Sequence, residues 1–394
     1  MSNGTDLPPH SENVDEELQR IKQALRTVFS PAQSSQTSNP EFHQHDLANR
    51  YLISFQCNPI AWMVCDQLLL QENDESNSFF FAAQTLHFKC REEVYIAQLP
   101  SNSLPSLRDS LMNHLIRFAV KPPSTALITR LCMALAALAV QINWTSIIQD
   151  LLENVKARPE LGPVILELIQ LIPEETCSDR LYLPTEKMRY DFRESLRLFS
   201  QQTLEFLVHI MKLPNANILH QERILKCFHS WVRNVDIPPV LLQSSALLEA
   251  SFQVLTNPNA NIFEPAVDVV VEILRQYGSE PRSHAGLVQK MIPMVMHLGS
   301  TIFPTVLSAP EENEDALRGY CRIFTELGES YMSLIVSHEE MNQIQLVELI
   351  LKCSSIPDHG KLILHPYSTF CRSLQELFSI LSISLTFQKL QILL

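Results

Sequence analysis

Glycine is scarce in this sequence, at 8 of 394 residues against a usual share of about 7%. Only glycine adopts positive φ without steric cost, so tight hairpins, left-handed turns and phosphate-cradling loops depend on it. Its scarcity disfavours hairpin-rich sheets and glycine-loop nucleotide enzymes, and no G-x-x-x-x-G-K-[ST] or G-x-G-x-x-G spacing occurs. Basic charge is also short. Thirty Lys and Arg stand against 43 Asp and Glu, a net charge of −13, which argues against a surface built to neutralise phosphates and predicts no direct nucleic-acid partner. An acidic body suits a basic partner instead. Long apolar runs are missing as well: LCMALAALAV and LFSILSISLTF are well below the ~20 residues that cross a bilayer, so no membrane insertion is expected. The opening MSNGTDLPPHSENVDEE has no apolar core and does not read as a secretory signal.

Motifs that would carry chemistry are absent too. C-x-x-C, H-E-x-x-H and G-x-S-x-G do not occur, so the sequence predicts no cofactor, no metal site, no catalytic residue and no enzyme. The nine cysteines, at 57, 65, 90, 132, 177, 227, 321, 353 and 371, are odd in number with no close pairs. They read as reduced, mostly buried thiols of an intracellular protein. Cys132, Cys227 and Cys321 lie in apolar helical runs, where cysteine acts as a small hydrophobe. His43 and His45 form an H-x-H that is expected to face solvent, and Trp62, Trp144 and Trp231 are expected to be packing anchors.

What the chain does have is helical periodicity. Apolar residues, 46% of the total, recur at helical spacing, punctuated by proline or by Asn, Ser and Asp clusters. Helices are expected near 14–29, 42–56, 59–71, 77–97, 103–121, 123–142, 145–157, 160–172, 185–212, 217–234, 238–256, 262–278, 284–307, 312–337 and 341–354. Residues 1–13 are expected to be disordered, and Ser30 to Pro40 to form a Ser/Gln/Thr-rich connector. Paired in order, these helices give seven units and a partial eighth, each roughly 30–55 residues long, near the period of helical-hairpin solenoids. Uneven lengths favour HEAT-like repeats over a strict 34-residue tetratricopeptide period. The run from Ile128 to Gln141 is apolar on nearly every face, which predicts a helix contacted on all sides.

Two polar features stand out as candidate interaction surfaces. Gln84, His87 and Arg91 follow i, i+3, i+7 spacing and make one polar strip on an otherwise apolar helix, with Lys89 off the strip. Glu311, Glu312, Glu314 and Asp315 form an acidic cluster before a helix, where carboxylates either favour the N-terminus or meet a basic partner.

The segment from Ala48 to Arg91, ANRYLISFQCNPIAWMVCDQLLLQ…SFFFAAQTLHFKCR, resembles the importin-beta N-terminal homology region of nuclear transport receptors. LPSLRDSLMNHL at 104–115, TRLCMALAALAVQ at 129–141, LELIQLIPEE at 166–175 and GYCRIFTELGESYM at 319–332 are together similar to the transportin-SR branch of the karyopherin-beta family. The resemblance runs from about Val14 to Ser355. It implies a right-handed superhelical solenoid of HEAT-like repeats, with an N-terminal-like region at 14–97 and a repeat array at 98–356. It further implies binding of GTP-loaded Ran by the N-terminal repeats, serine/arginine-rich protein cargo, contact with nuclear pore proteins, and shuttling between nucleus and cytoplasm. Carried over by position, Ran contacts are expected at Asn49, Gln84, His87, Lys89, Arg91 and Arg130. An export receptor, or a HEAT scaffold without Ran dependence, is the alternative. The tail at 357–394 departs from the family pattern and reads as the end of a truncated or mis-spliced product.

Overall fold

The computed structural model describes residues 11–30, 40–72, 76–120, 124–213, 218–278 and 284–330, with positions 345, 348, 349, 352 and 353 beyond them. The expected disordered N-terminus, connector, helix at 341–354 and divergent tail lie wholly or mostly outside these residues. Among the described residues the regular structure is helical. The helices are α1 (Ser11–Phe29), α2 (Pro40–Cys57), α3 (Ala61–Leu70), α4 (Ser76–Cys90), α5 (Glu93–Ile96), α6 (Leu104–Val120), α7 (Thr125–Gln141), α8 (Ile147–Ala157), α9 (Gly162–Thr176), α10 (Glu186–Leu198), α11 (Ser200–Met211), α12 (Ile218–Asn234), α13 (Pro239–Gln243), α14 (Ala246–Leu255), α15 (Phe263–Gly278), α16 (Ala285–Thr301), α17 (Phe303–Leu307) and α18 (Glu314–Ser330).

The chain divides into two compact units, 1–199 and 200–394. In the first, α1 packs on α2, α3 on α4, α6 on α7 and α8 on α9, and the second helices α4, α7 and α9 lie side by side. In the second unit α11 packs on α12, α14 on α15, and α16 with α17 on α18, while α12, α15 and α18 form the matching row. Each unit is therefore a two-layer array of helical hairpins, as the paired periodicity predicts.

Helix α7 shows why the apolar run has no polar face. Every residue from Ala134 to Gln141 is buried, with α4, α6, α9 and α10 around it. Its start is fixed by Ser124, whose side chain accepts from the Leu127 N–H at 3.2 Å, a standard N-cap.

Four expected helices are each divided in two. The 77–97 helix breaks where Glu92 turns extended and pairs with Tyr182. The 185–212 helix breaks at Phe199. In 238–256, Ser245 caps a new helix through the Leu247 N–H. In 284–307 the break at Ile302 is followed by Pro304 in the first turn of α17, where a missing N–H costs nothing.

Glycine scarcity has a structural counterpart at the helix ends. No glycine among the described residues has positive φ, and Asn143, at φ 51°, stands there instead. The usual left-handed glycine cap is replaced by long side chains from other helices. Lys89 donates to Gln56 O in the last turn of α2 and to Asn58 O just after it. Arg117 donates to Leu69 O and Gln71 O at the end of α3. Arg189 takes Thr176 O, Ser178 O and Leu181 O after α9. In the second unit Lys290 takes Gln243 O, and the Tyr320 hydroxyl takes Leu255 O. Orphan carbonyls are thus satisfied by neighbouring helices, which ties chain reversal to tertiary packing.

Candidate functional site

The α4–α7–α9 row of the first unit carries the residues expected to face a partner. Helix α4 runs along α7 because Phe79, Ala82, Ala83, Leu86 and Cys90 make its apolar stripe, and small alanines on α7 let the two approach closely. The polar strip then falls at the C-terminal half of α4. Gln84 is half-buried, Arg91 is part-exposed, and His87 is fully buried.

Arg91 is held by Glu175 of α9 in a bidentate pair, Nε to Oε2 at 2.9 Å and Nη2 to Oε1 at 2.5 Å. His87 Nε2 lies 3.3 Å from Glu175 Oε1, without an aligned hydrogen bond. Burial pushes the Glu175 carboxyl up, but His87 and Arg91 outweigh it and hold the group below the usual carboxylate range. Burial also lowers the His87 imidazole, against the pull of Glu175. The cluster spans α4 and α9 across 84 positions of sequence, and Glu175 is its hub. The LELIQLIPEE motif contains that glutamate, but nothing in its spacing marks it as the partner of Arg91. A second tie follows directly: Tyr182 N donates to Arg91 O at 2.8 Å, and Gln141 of α7 donates to Tyr182 O.

Lys89 has no exposed surface. Its ammonium sits over the Trp62 and Tyr95 rings at 5.1 and 4.6 Å, and it is hydrogen-bonded to Gln98 Oε1 as well as to the α2 carbonyls. Burial lowers its pKa to about 8. In this arrangement Lys89 and His87 hold helices together and offer no surface to a partner. Of the six expected contact residues, Asn49 is exposed, Gln84 and Arg130 are half-buried, and Arg91 is part-covered by its pair. Arg130 projects over Phe80 at 6.0 Å and contributes to lowering the His87 pKa, so it lies on the same face as the strip.

The acidic cluster lies in the second unit. Glu311 and Glu312 are exposed on the turn before α18, and Glu314 and Asp315 open that helix. Arg318 pairs with Glu314 at 2.9 Å and reaches Asp315 at 3.7 Å. Farther along, Arg322 bridges Glu264 and Asp268 of α15 at 2.5 and 2.7 Å, and Arg275 joins Glu326 at 2.8 Å. Each arginine is thus shared between carboxylates, and acids remain in excess.

The remaining candidates behave as small pieces of core or surface. His43 and His45 are exposed, and no group of three metal-ligating side chains occurs among the described residues. Cys132, Cys227 and Cys321 are buried. Trp62 and Trp231 are buried, and Trp144 is half-buried with its indole N–H on Asp150 at 2.6 Å. Among the described residues no helix is long and apolar enough to cross a membrane.

These features define units of stacked helical hairpins with exposed polar and acidic faces. Comparison with known proteins narrows that class. The "Exportin 1-like protein" family matches residues 124–270, and "Transportin-3/Importin-13 second TPR domain" matches 312–377. The second match continues past residue 357, where the sequence reading placed the start of a divergent tail. Importin-13 of Bos taurus is 27% identical over 359 residues, covering 88% of this chain and 34% of the relative. The mRNA transport regulator MTR10 of Saccharomyces cerevisiae is 27% identical over 355 residues, covering 85% and 34%. A crystal structure of Kap121p bound to RanGTP superposes with a TM-score of 0.48 at 12% identity, covering 87% of this chain and 36% of that one. The chain is thus similar to karyopherin-type transport receptors, with a match to the transportin-3/importin-13 second domain, and spans about a third of the length of the curated relatives it matches.

Proposed function

We propose that this chain acts as part of a nuclear import receptor that binds the GTP-loaded form of Ran and carries serine/arginine-rich protein cargo past nuclear pore proteins, shuttling between cytoplasm and nucleus. The observation that carries this reading is the similarity to importin-13 along 88% of the chain. Two features support it. Asn49, Gln84, Arg91 and Arg130 retain exposed surface in the first unit, and the acid excess at Glu311, Glu312, Glu314 and Asp315 complements an arginine-rich segment. Ran and cargo would oppose each other reciprocally, each lowering the other's affinity. No residue of this chain performs chemistry in that cycle.

The test is a pull-down of the chain with Ran loaded with GTP or GDP. GTP-selective capture is expected, weakened by joint substitution of Asn49, Gln84 and Arg130 with alanine while the thermal transition stays in place. Equal or absent binding to both forms would favour a scaffold without Ran dependence. Adding an arginine/serine-rich peptide then separates directions: displacement by Ran-GTP indicates import, and recruitment indicates export, the alternative kept open by the match to the exportin family.

A further inference from the structure

The acidic cluster before α18 has a neighbour that the transport reading does not use. Ser308 ends α17, is exposed, and begins a short non-helical turn that runs to Asn313. Its sequence context is Ser308-Ala-Pro-Glu311-Glu312-Asn-Glu314-Asp315, so carboxylates follow at the third, fourth, sixth and seventh positions. Among the described serines and threonines only Ser106, Thr176 and Ser308 have an acid three residues on. The structure separates them. Thr176 is fully buried with its hydroxyl on Ile172 O. Ser106 lies within the first turn of α6, and its acid, Asp109, is engaged by Arg108 at 2.8 Å. Of these three, Ser308 combines an exposed hydroxyl, backbone outside a helix, and Glu311 and Glu312, for which no ion pair is found among the described residues.

We propose that Ser308 is a phosphorylation site for an acidophilic serine kinase, a class that reads a carboxylate three residues after the acceptor. The Ser308 Oγ forms a bond to the γ-phosphorus of ATP, the bond from that phosphorus to the bridging oxygen breaks, and ADP leaves. The hydroxyl proton passes to the kinase's base. A kinase cleft takes an extended segment, and this turn can supply one at small cost. Helix α17 is five residues long and buries only Phe303 and Val306. The turn itself is held by two long backbone bonds, Ala309 N to Val306 O and Asn313 N to Pro310 O, both 3.3 Å, and by one side-chain bond, Asn313 Nδ2 donating to Ala309 O at 2.9 Å.

The consequence is electrostatic. The hydroxyl now donates to Thr305 O at 2.7 Å, and a phosphate ester has no proton to keep that bond. About two negative charges would be added beside Glu311 and Glu312, which loosens the end of α17 and deepens the acidic surface.

The experiment uses the full chain, a purified acidophilic serine kinase of the casein-kinase class and ATP, read by intact mass and peptide mapping. Phosphate is expected on Ser308. Ser308→Ala should abolish that phosphopeptide with helicity unchanged, and Glu311→Gln with Glu312→Gln should slow incorporation about tenfold. Absence of phosphate on the wild-type chain, incorporation mapped elsewhere and unaffected by Ser308→Ala, or an undiminished rate in the Gln variant would each overturn the proposal. None of these outcomes depends on Ran or cargo binding.

Discussion

The two units place charge differently on the same scaffold. In the α4–α7–α9 row, the ion pair that crosses between helices is buried: the Arg91 side chain is 18% exposed and that of Glu175 3%. In the α12–α15–α18 row, the crossing pairs of Arg322 with Glu264 and Asp268 are open, with side chains 38–55% exposed. The first arrangement fixes helix positions, because a buried carboxylate has no water to fall back on. The Arg322 pairs leave their charges available to solvent and to a partner, while Glu272 of the same row, 5% exposed, is enclosed beside His229 of α12. A hairpin array can therefore use some crossing pairs as a rigid frame and others as a tunable surface without changing its backbone plan.

The largest effect that would break this contrast comes from removing one side of the buried pair. Arg91→Ala leaves Glu175 charged, enclosed and facing only His87, and is expected to destabilise the first unit by about 3–5 kcal/mol in urea unfolding. Replacing both residues by methionine should recover much of that loss, since the desolvation of Glu175 disappears with its charge. If Arg91→Ala cost no more than an exposed pair, the buried cluster would not be the frame described above.

Close packing gives the next test, and here the two units exchange roles. A Cβ on Gly319 would stand 2.7 Å from Phe263 Cε1 and 2.8 Å from Val267 Cγ2, because α15 and α18 cross there at short range. Gly319→Ala is expected to cost about 1–3 kcal/mol through overpacking. At Gly162, on the first turn of α9, a Cβ would meet nothing within 4 Å outside its chain neighbours, but Pro163 follows, and a Cβ on a helical residue before proline clashes with the proline Cδ. Gly162→Ala is therefore expected to bring no gain in stability despite the open space. Thermal melts in which Gly319→Ala shows the loss expected of overpacking would show that glycine at 319 matters for close approach rather than for φ.

Acid unfolding offers an effect of intermediate size. His229 at 3.8 Å, Gln276 and Arg275 hold the Glu272 carboxyl down, to about 2. Its folded pKa lies below the unfolded value of about 4.3, so the unfolded chain takes up the proton first. The stability it contributes is full above that unfolded value and is lost as pH falls toward 2. Glu272→Gln should therefore flatten the fall in stability of the second unit between about pH 4 and pH 2. An unchanged acid slope would show that Glu272 is not held by its neighbours.

Much of this plan could be read in the sequence, and its limits have a physical cause. The hairpin pairing followed from apolar spacing, because burial of one face of a helix repeats every three to four residues. The enclosure of α7 followed from its lack of a polar face. The polar strip on α4 was also visible, but its spacing could not say which members face inward. Lys89 sits among Trp62, Tyr95 and the carbonyls at the end of α2, and those partners come from three separate segments. Glu175 lies 84 positions from Arg91, and no local pattern links residues at that range. Sequence periodicity reports which side of a helix is apolar; it does not report which polar group a neighbouring helix brings to that side.

The smallest expected effect tests the open row itself. Arg322→Ala removes both contacts to α15, at 2.5 Å to Glu264 and 2.7 Å to Asp268, yet all three side chains remain partly in water. The expected loss is about 0–1 kcal/mol, and it should shrink further as salt is raised. Removing the arginine also frees two carboxylates, so the same variant should bind an arginine-rich peptide at least as well as the wild-type chain at low ionic strength. A loss of several kcal/mol, insensitive to salt, would instead make α15 and α18 a frame of the same kind as α4 and α9. The distinction between the two rows would then rest on sequence position alone, with no difference in how the charges are solvated.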